Sequence, residues 1–270
     1  IYNFQLTTDT DPLGCRLNPS SPTFVNFYDL GDDKPFTQWT HYMIEAAEVA
    51  RRGLAQGYGR MPKFTYAVGT SNGGYQVRRA IETAPHLFDG GVDWEGTFVD
   101  AQGPNLLTDL PPAVLNFPDY VASGYNQSST AARNITAAGY PPDIKNGAGT
   151  YAFWTQHSTS YWEITWCQWQ KRLDPDYATY TDGAGSYHYT ARLSASKVGS
   201  EMAAIATTGD IQRPLITVAG TMDGLLPIDH HARAYARKVA EAQEEKPGHG
   251  RRGRYGDSPE NRLYEVLNGN

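Results

Sequence analysis

The chain has 270 residues, of which 40% are hydrophobic, 19% are charged and 12% are aromatic, and its formal net charge is −6. This length suits one sizeable core with an insertion. The negative charge disfavours nucleic acid as a partner, because phosphates require a basic face, and no apolar run reaches the roughly 18 residues that a membrane span needs.

The chain opens on a strand-like stretch, residues 1–6, without a signal sequence. A secreted protein whose targeting segment has been cleaved would begin in this way, and we expect an extracellular or periplasmic location. Cys15 and Cys167 fit either one disulfide between the main body and an insertion or two buried free thiols.

Helical and strand-like patterns alternate on both sides of a long irregular segment. In chain order they predict a helix at 36–56, a strand at 63–68, a helix from Tyr75 to Pro85, a strand at 89–94, a strand at 214–220, a helix at 229–243 and a strand at 262–267. This alternation predicts an α/β fold with a doubly wound, mostly parallel sheet.

Between residues 104 and 208 the alternation is lost, and prolines, Gly/Asn turns and an aromatic cluster take its place. The segment is far longer than an ordinary connection. We therefore predict an inserted, aromatic-rich lid at 104–208 on an α/β core formed by 1–103 and 209–270. A smaller polar insertion is expected at 244–261.

The sequence Gly69-Thr-Ser71-Asn-Gly-Gly74 stands between a predicted strand and a predicted helix. It matches the G-x-S-x-G turn that exposes a nucleophilic serine, and Gly69 and Gly73 are expected to leave room for the strand and the helix to cross. We identify Ser71 as the nucleophile. The N–H of Asn72, at the start of the helix, is the expected oxyanion donor.

A serine nucleophile needs a base, and the base needs an orienting carboxylate. Asp223 follows the predicted strand at 214–220, so it lies at the same sheet edge as Ser71 and is the expected acid. A loop or helix-capping role is the alternative for Asp223. Asp93 and Glu95, which follow the strand after the nucleophile helix, are the fallback carboxylates.

The turn at Ser71, the segment Gly220-Thr-Met-Asp223-Gly-Leu-Leu-Pro227 and the final strand resemble the α/β-hydrolase superfamily. More distantly they are similar to tannase/feruloyl esterases and polyhydroxybutyrate-oligomer hydrolases. These pieces cover under a third of the chain. Thr70 stands where tannase-like members often have a cysteine, and this difference argues against assigning the chain to that particular subfamily. The resemblance implies the order serine, acid, histidine, with the histidine after the last strand.

Three positions compete for the base. His249 lies downstream of Asp223 but before the last strand, in the Gly/Arg-rich insertion, while His230 and His231 are adjacent on a predicted helix. The order implied by the resemblance favours a histidine beyond Asn270. The second oxyanion donor is expected upstream of residue 36, so we expect both ends of the chain to be truncated.

Trp162, Trp166 and Trp169 recur at helical spacing and form an aromatic stripe if this segment is a helix. Packing inside the lid is the ordinary explanation, and a wall for an apolar acyl or alcohol group is the functional one. Three nearby carboxylates invite a calcium interpretation, but the EF-hand spacing is absent and we expect no metal. They are Asp174, Asp176 and Asp182.

The residues together predict a serine carboxylic ester hydrolase that forms an acyl-enzyme at Ser71 and acts on a small-molecule or oligomeric ester with an apolar or aromatic group. No cofactor is required. The alternatives are a non-catalytic binding module that keeps the fold, a fragment without its histidine, and a serine peptidase of the same fold.

Overall fold

The computed structural model describes residues 5–7, 24–26, 36–175, 177, 187–244 and 261–269. The strands in these residues are β1 (Gln5–Thr7), β2 (Phe24–Asn26), β3 (Tyr66–Thr70), β4 (Gly90–Trp94), β5 (Leu215–Gly220) and β6 (Asn261–Val266). The helices are α1 (Trp39–Tyr58), α2 (Asn72–Thr83), α3 (Leu106–Asp109), α4 (Pro111–Ala122), α5 (Thr130–Ala137), α6 (Phe153–His157), α7 (Glu163–Leu173), α8 (Tyr189–Arg192), α9 (Val198–Ile205) and α10 (Ala232–Glu244).

The seven elements predicted for the core are present in the predicted order, and their bounds shift by a few residues. The shift that bears on the turn at Ser71 is that of α2, which begins at Asn72 rather than at Tyr75. Its N-terminal residue follows Ser71 directly, because the chain enters the helix in the same turn that leaves β3. The glycines of this turn therefore belong partly to the helix.

The main sheet has the order β3-β4-β5-β6, and every neighbouring pair is parallel. This arrangement confirms the predicted α/β fold class with a parallel sheet. Because the strands are parallel, their carboxyl ends meet at one edge. The residues after β3, β4 and β5 therefore lie side by side there. Strands β1 and β2 form a separate antiparallel pair.

Helices cover one face of the main sheet, and the other face exposes its side chains. On one face Leu215 packs with Val77 and Ile81 of α2 and with Tyr235 and Val239 of α10 in a buried cluster. On the opposite face large apolar side chains are exposed, as the two-residue alternation of strands requires. They are Tyr66, Val68, Trp94, Ile216 and Tyr264.

Residues 104–208 carry helices α3 to α9, and α6 continues into α7 through a π-helical turn (Ser158–Trp162). The predicted aromatic stripe is helical, and Trp162, Trp166 and Trp169 are all buried. Their core cluster also contains Trp39 of α1 and Tyr75 of α2. The insertion therefore shares its core with the α/β part, and the division at 104 and 208 stays a prediction.

Two further sequence features fall inside this helical segment. Cys167 is buried and disulfide-bonded, while the chain's other cysteine, Cys15, lies outside the described residues. Asp174 is buried, and both of its carboxylate oxygens accept hydrogen bonds from Arg192 at 2.7 Å. The guanidinium therefore neutralises this carboxylate. Asp176 and Asp182 lie outside the described residues.

The described residues contain neither a membrane-spanning helix nor a cluster of metal-ligating side chains. None of the helices combines the length and the hydropathy needed to cross a bilayer. Across the same residues, no group of three or more His, Cys, Asp or Glu side chains is arranged to hold a metal ion.

Candidate active site

Ser71 occupies the tip of the turn between β3 and α2. Its backbone has φ 57° and ψ −121°, a left-handed conformation that residues other than glycine rarely adopt. The side chain is exposed, and the Ser71 N–H donates to Trp94 O of the neighbouring strand at 2.9 Å. Such strained positions recur at active sites, where the surrounding structure holds them in place.

The first turn of α2 supplies free amides beside this serine. The first backbone hydrogen bond of the helix runs from Tyr75 N to Ser71 O, at 3.1 Å. The amides that precede it, including that of Asn72, start the helix without intrahelical carbonyl partners. An anion formed next to Ser71 would therefore meet N–H donors and the positive end of the helix dipole.

Gly69 and Gly74, rather than Gly69 and Gly73, are the glycines of this turn that have no room for a side chain. A Cβ built at Gly69 would overlap the backbone carbonyl of Gly73, and one built at Gly74 would overlap Asp93 and Gly96. A Cβ at Gly73 itself would have no heavy atom within 4 Å, apart from its own helix backbone and chain neighbours. The expectation that Gly73 must lack a side chain is wrong, because its own Cβ would point into open space, whereas a Cβ on Gly69 would overlap the Gly73 backbone.

Asp223 lies beyond β5, two strands away from Ser71 along the same edge. It is buried, and its Oδ1 accepts from Leu225 N at 2.8 Å and from Leu226 N at 2.7 Å. Burial raises the pKa of Asp223 to about 6; the two amides oppose this and the charge of Glu95 adds to it. Asp223 thus stabilises its own turn through Oδ1, and Oδ2 is the oxygen that remains for a base.

The segment after β6 is bonded to the loop that carries Asp223. Met222 N donates to Gly269 O at 2.8 Å, and Asn268 N donates to Thr221 Oγ1 at 2.9 Å. These bonds hold the turn after the last strand beside the residues immediately before Asp223. His249 lies outside the described residues.

The insertion also packs on the loop of Asp223. Trp162 Nε1 donates to Gly224 O at 2.6 Å, and a Cβ built at Gly224 would come within 3.1 Å of His157. His157 Nδ1 lies 2.8 Å from Phe153 O, an acceptor only, so Nδ1 carries the proton of the neutral ring. Burial lowers the pKa of His157. The sequence contains no spacing signal for this histidine beside the acid.

His230 and His231 lie at the start of α10 against the insertion. His230 Nε2 is 2.7 Å from Ala138 O, and its Nδ1 is 3.4 Å from Asp109 Oδ1. The hydrogen bond to Asp109 raises the pKa of His230, because both ring nitrogens donate only in the imidazolium. His231 Nδ1 accepts from Phe98 N at 2.9 Å, and burial lowers its pKa well below the usual value.

Both histidines therefore form hydrogen bonds with backbone groups of the described residues. His230 joins α10 to the turn after α5, and His231 joins it to the loop after β4. The other nitrogen of each ring lies near Asp109: His230 Nδ1 is 3.4 Å from Asp109 Oδ1, and His231 Nε2 is 3.8 Å from Asp109 Oδ2. The expectation that both lie on a helix is wrong, because they occupy the turn that precedes α10, which begins at Ala232.

A small gap, too narrow to admit a water molecule, lies beside Asn72 in the turn at Ser71. Its other walls are largely aromatic. They are Trp39, Tyr75, Trp169 and Ile205.

No protein-family model matches the chain, and no curated protein matches it. Among solved structures, feruloyl esterase B from Aspergillus oryzae is similar at 14% identity and a TM-score of 0.45, over 82% of this chain and 54% of that chain. An acylaminoacyl peptidase from Pyrococcus horikoshii is similar at 10% identity and a TM-score of 0.37, over 81% and 21%. A monoacylglycerol lipase from Paleococcus ferrophilus is similar at 15% identity and a TM-score of 0.31, over 83% and 64%.

The chain spans 21% to 64% of the length of these three proteins. Because these identities and TM-scores are low, the fold assignment rests on the strand order and on the turn at Ser71. The chain has a parallel strand, a serine at positive φ, a helix and a further parallel strand in that order, which is the strand-turn-helix arrangement that the G-x-S-x-G motif predicts.

The two glycines of the motif offer a matched pair of substitutions. Gly69→Ala should lower the free energy of unfolding by about 1–3 kcal/mol or more, because its Cβ meets the Gly73 backbone. Gly73→Ala should raise it by about 0.5–1 kcal/mol, since alanine favours a helix over glycine. Urea unfolding of both variants measures the contrast, and equal losses would contradict the crowding at Gly69.

His230 gives the stability of the protein a dependence on pH. Because its pKa is raised above 6.5 in the folded state, its stabilising contribution is full below pH 6.5 and is lost as the pH rises through the raised pKa. His230→Gln should therefore cost most stability near about pH 5.5 and least near about pH 8.5. Urea unfolding across this range, with the exposed His86→Gln as control, measures it. A cost that is constant with pH would show that His230 is not charged.

Proposed function

We propose that this protein is a serine hydrolase of carboxylic esters that forms an acyl-enzyme at Ser71. The observation that carries the proposal is the exposed Ser71 at φ 57°, set between β3 and the N-terminus of α2. Ser71 attacks the ester carbonyl, the Asn72 N–H stabilises the oxyanion, the alcohol leaves, and water then releases the acid.

The orienting acid in this mechanism is Asp223. Its position after β5, on the edge that Ser71 shares, and its free Oδ2 support this role. An acid with a pKa of about 6 is largely ionised at neutral pH, as a carboxylate facing an imidazolium must be.

We propose that the base comes from the loop that follows β6. The hydrogen bonds of Asn268 and Gly269 to Thr221 and Met222 support this, since they start that loop beside Asp223. His157 is the competing candidate, because it lies across Gly224 and its Nε2 carries the lone pair of a neutral ring. His249 keeps its place as a further candidate from the sequence.

For the substrate, we propose an ester with a small apolar acyl group. The aromatic walls of the gap next to Asn72 support an apolar group, and because the gap is too narrow for a water molecule it favours the shortest acyl chains. Trp169 is the member of the aromatic stripe that lines this gap, whereas Trp162 donates to Gly224 O. Trp166 packs in the buried core.

A fluorophosphonate probe tests the nucleophile in the full-length protein. We expect labelling at Ser71, and Ser71→Ala should lose the label and about 10³-fold or more of any activity on p-nitrophenyl acetate. Ser200→Ala, an exposed serine on α9, is the matched control and should keep both. Absence of label in the wild type would favour a non-catalytic binding module.

The same assay distinguishes between the two main candidates for the base, a histidine after β6 and His157. If it follows β6, His157→Gln should keep label and turnover within about tenfold of wild type. Loss of both in a folded His157→Gln protein would assign the base to His157 instead.

The gap beside Asn72 is tested by Ile205→Ala. Removing this side chain opens space beside Asn72 that the wild-type protein lacks, so kcat/KM for a p-nitrophenyl butyrate ester should rise relative to the acetate ester. Val198→Ala, a buried truncation on the same helix outside the wall of the gap, is the control for lost stability. An unchanged ratio in Ile205→Ala would place the acyl group elsewhere.

A further inference from the structure

The turn that follows β4, residues 94–98, holds the backbone of Ser71 and is called the clamp turn below. Ser71 N donates to Trp94 O at 2.9 Å, and Ser71 O accepts from Thr97 N at 3.4 Å. The N–H of Tyr75 on α2 shares this carbonyl at 3.1 Å. Both polar backbone groups of the strained serine are therefore bonded to the clamp turn.

The clamp turn also packs tightly on the first turn of α2. A Cβ built at Gly96 would come within 2.8 Å of the Gly74 carbonyl carbon, and one built at Gly74 would come within 2.7 Å of Gly96 Cα. Close-packed backbone of this kind transmits small displacements. A shift of the clamp turn would therefore move the start of α2, and Ser71 with it.

The far end of the clamp turn is bonded to the imidazole of His231. The Nδ1 atom accepts from Phe98 N at 2.9 Å, and His231 is only 1% exposed. Thr97, whose N–H reaches Ser71 O, directly precedes Phe98 in the chain. One peptide unit thus separates the amide that His231 holds from the amide that holds Ser71.

The backbone of His231 is fixed as well. Its N–H donates to Pro227 O at 3.2 Å, and its carbonyl accepts from Tyr235 N of α10 at 2.9 Å. The same stretch of chain begins at Asp223, whose Oδ1 holds the turn before Pro227. His231 therefore links the loop of the proposed acid to the turn of the proposed nucleophile.

The surroundings of His231 keep its Nδ1 free of a proton. A backbone N–H only donates, so Nδ1 carries the lone pair and the neutral ring has its proton on Nε2. Nε2 is 3.8 Å from Asp109 Oδ2, beyond hydrogen-bond distance, and neither atom has another partner among the described residues. Burial lowers the pKa of His231 well below its usual value, and the charges of His230 and Arg78 act in the same direction. The ring therefore stays neutral and remains an acceptor.

We propose that His231 is a positioning residue for the nucleophile, which holds Phe98 N and, through the clamp turn, the backbone of Ser71. The inference rests on the proposed function and adds a residue that touches neither the substrate nor the reacting atoms. A displaced serine still allows the substrate to bind but attacks from a poorer geometry, and a misplacement of about 1 Å can cost about 10²-fold in rate. Loss of the acceptor should therefore lower kcat and leave KM nearly unchanged.

Two substitutions of equal shape test the proposal in the full-length protein. His231→Asn keeps an oxygen acceptor at the position of Nδ1, whereas His231→Leu has the same branching without an acceptor. Both leave the space of the outer ring atoms empty, so their loss of packing is matched. We expect fluorophosphonate labelling of Ser71 and kcat on p-nitrophenyl acetate to fall about tenfold or more in His231→Leu and to stay within about threefold of wild type in His231→Asn. KM should stay within about twofold in both variants.

Rates are compared per folded molecule, with the folded fraction taken from urea unfolding under the assay conditions. A merely structural role would lower the folded fraction and leave the rates per folded molecule alike. Equal rates for His231→Leu and His231→Asn would therefore overturn the proposal. If His231→Leu does not fold, His231→Gln takes its place, because its amide lies one bond further out than Nδ1 and its volume is closer to that of histidine.

Hydrogen exchange gives a second readout that does not depend on activity. The amides of Thr97 and Phe98 should exchange faster in His231→Leu than in His231→Asn, because only the leucine leaves Phe98 N without its acceptor. Equal exchange in the two variants would also overturn the proposal. Failure of the proposed function is distinct, because the wild-type protein would then not label at Ser71 although the contrast in exchange would persist.

Discussion

The buried carboxylate of Asp93 holds α2, the helix that follows Ser71, against the sheet. Its Oδ2 accepts from Arg78 Nε at 2.6 Å and from Thr217 Oγ1 at 3.0 Å, so α2, β4 and β5 meet at one anion. Gly74 and Gly96 approach its Oδ1 so closely that neither position has room for a Cβ. Breaking a buried ion pair leaves an uncompensated charge in a medium of low polarity, which strongly destabilises a fold. The placement of Ser71, at the start of α2, depends on this contact.

The same polar network extends along the helix-covered face of the sheet. The Arg78 guanidinium lies 4.4 Å from the centre of the Tyr235 ring, and the Tyr235 hydroxyl donates to Glu82 at 3.0 Å. Glu82 in turn accepts from the backbone amides of Thr208 and Gly209, where the insertion returns to the core. Helices α2 and α10 and the end of the insertion are therefore linked by charged hydrogen bonds, which are stronger than neutral ones.

Residues 104–208 are bonded to the edge of the sheet that carries Ser71 and Asp223. Trp162 donates to Gly224 in the loop of Asp223, and His230 bonds to Ala138 and Asp109 of this segment. A change in the insertion can therefore alter the position and the ionisation of Asp223 without touching it. The aromatic richness of the sequence serves mainly this packing, because the three tryptophans of the stripe are buried.

The sequence by itself determined the order of strands and helices, the turn at Ser71 and the position of Asp223 after β5, because these depend on local periodicity and on glycines within a few residues. Only the tertiary structure decided that Gly74 and not Gly73 must lack a side chain, since this depends on how closely β4 approaches α2. It also separated Asp93 from Glu95. Strand alternation would put these two on one face, but the positive φ of Glu95 turns the chain after β4, so one carboxylate is buried against Arg78 and the other bonds to Gly220 at the edge.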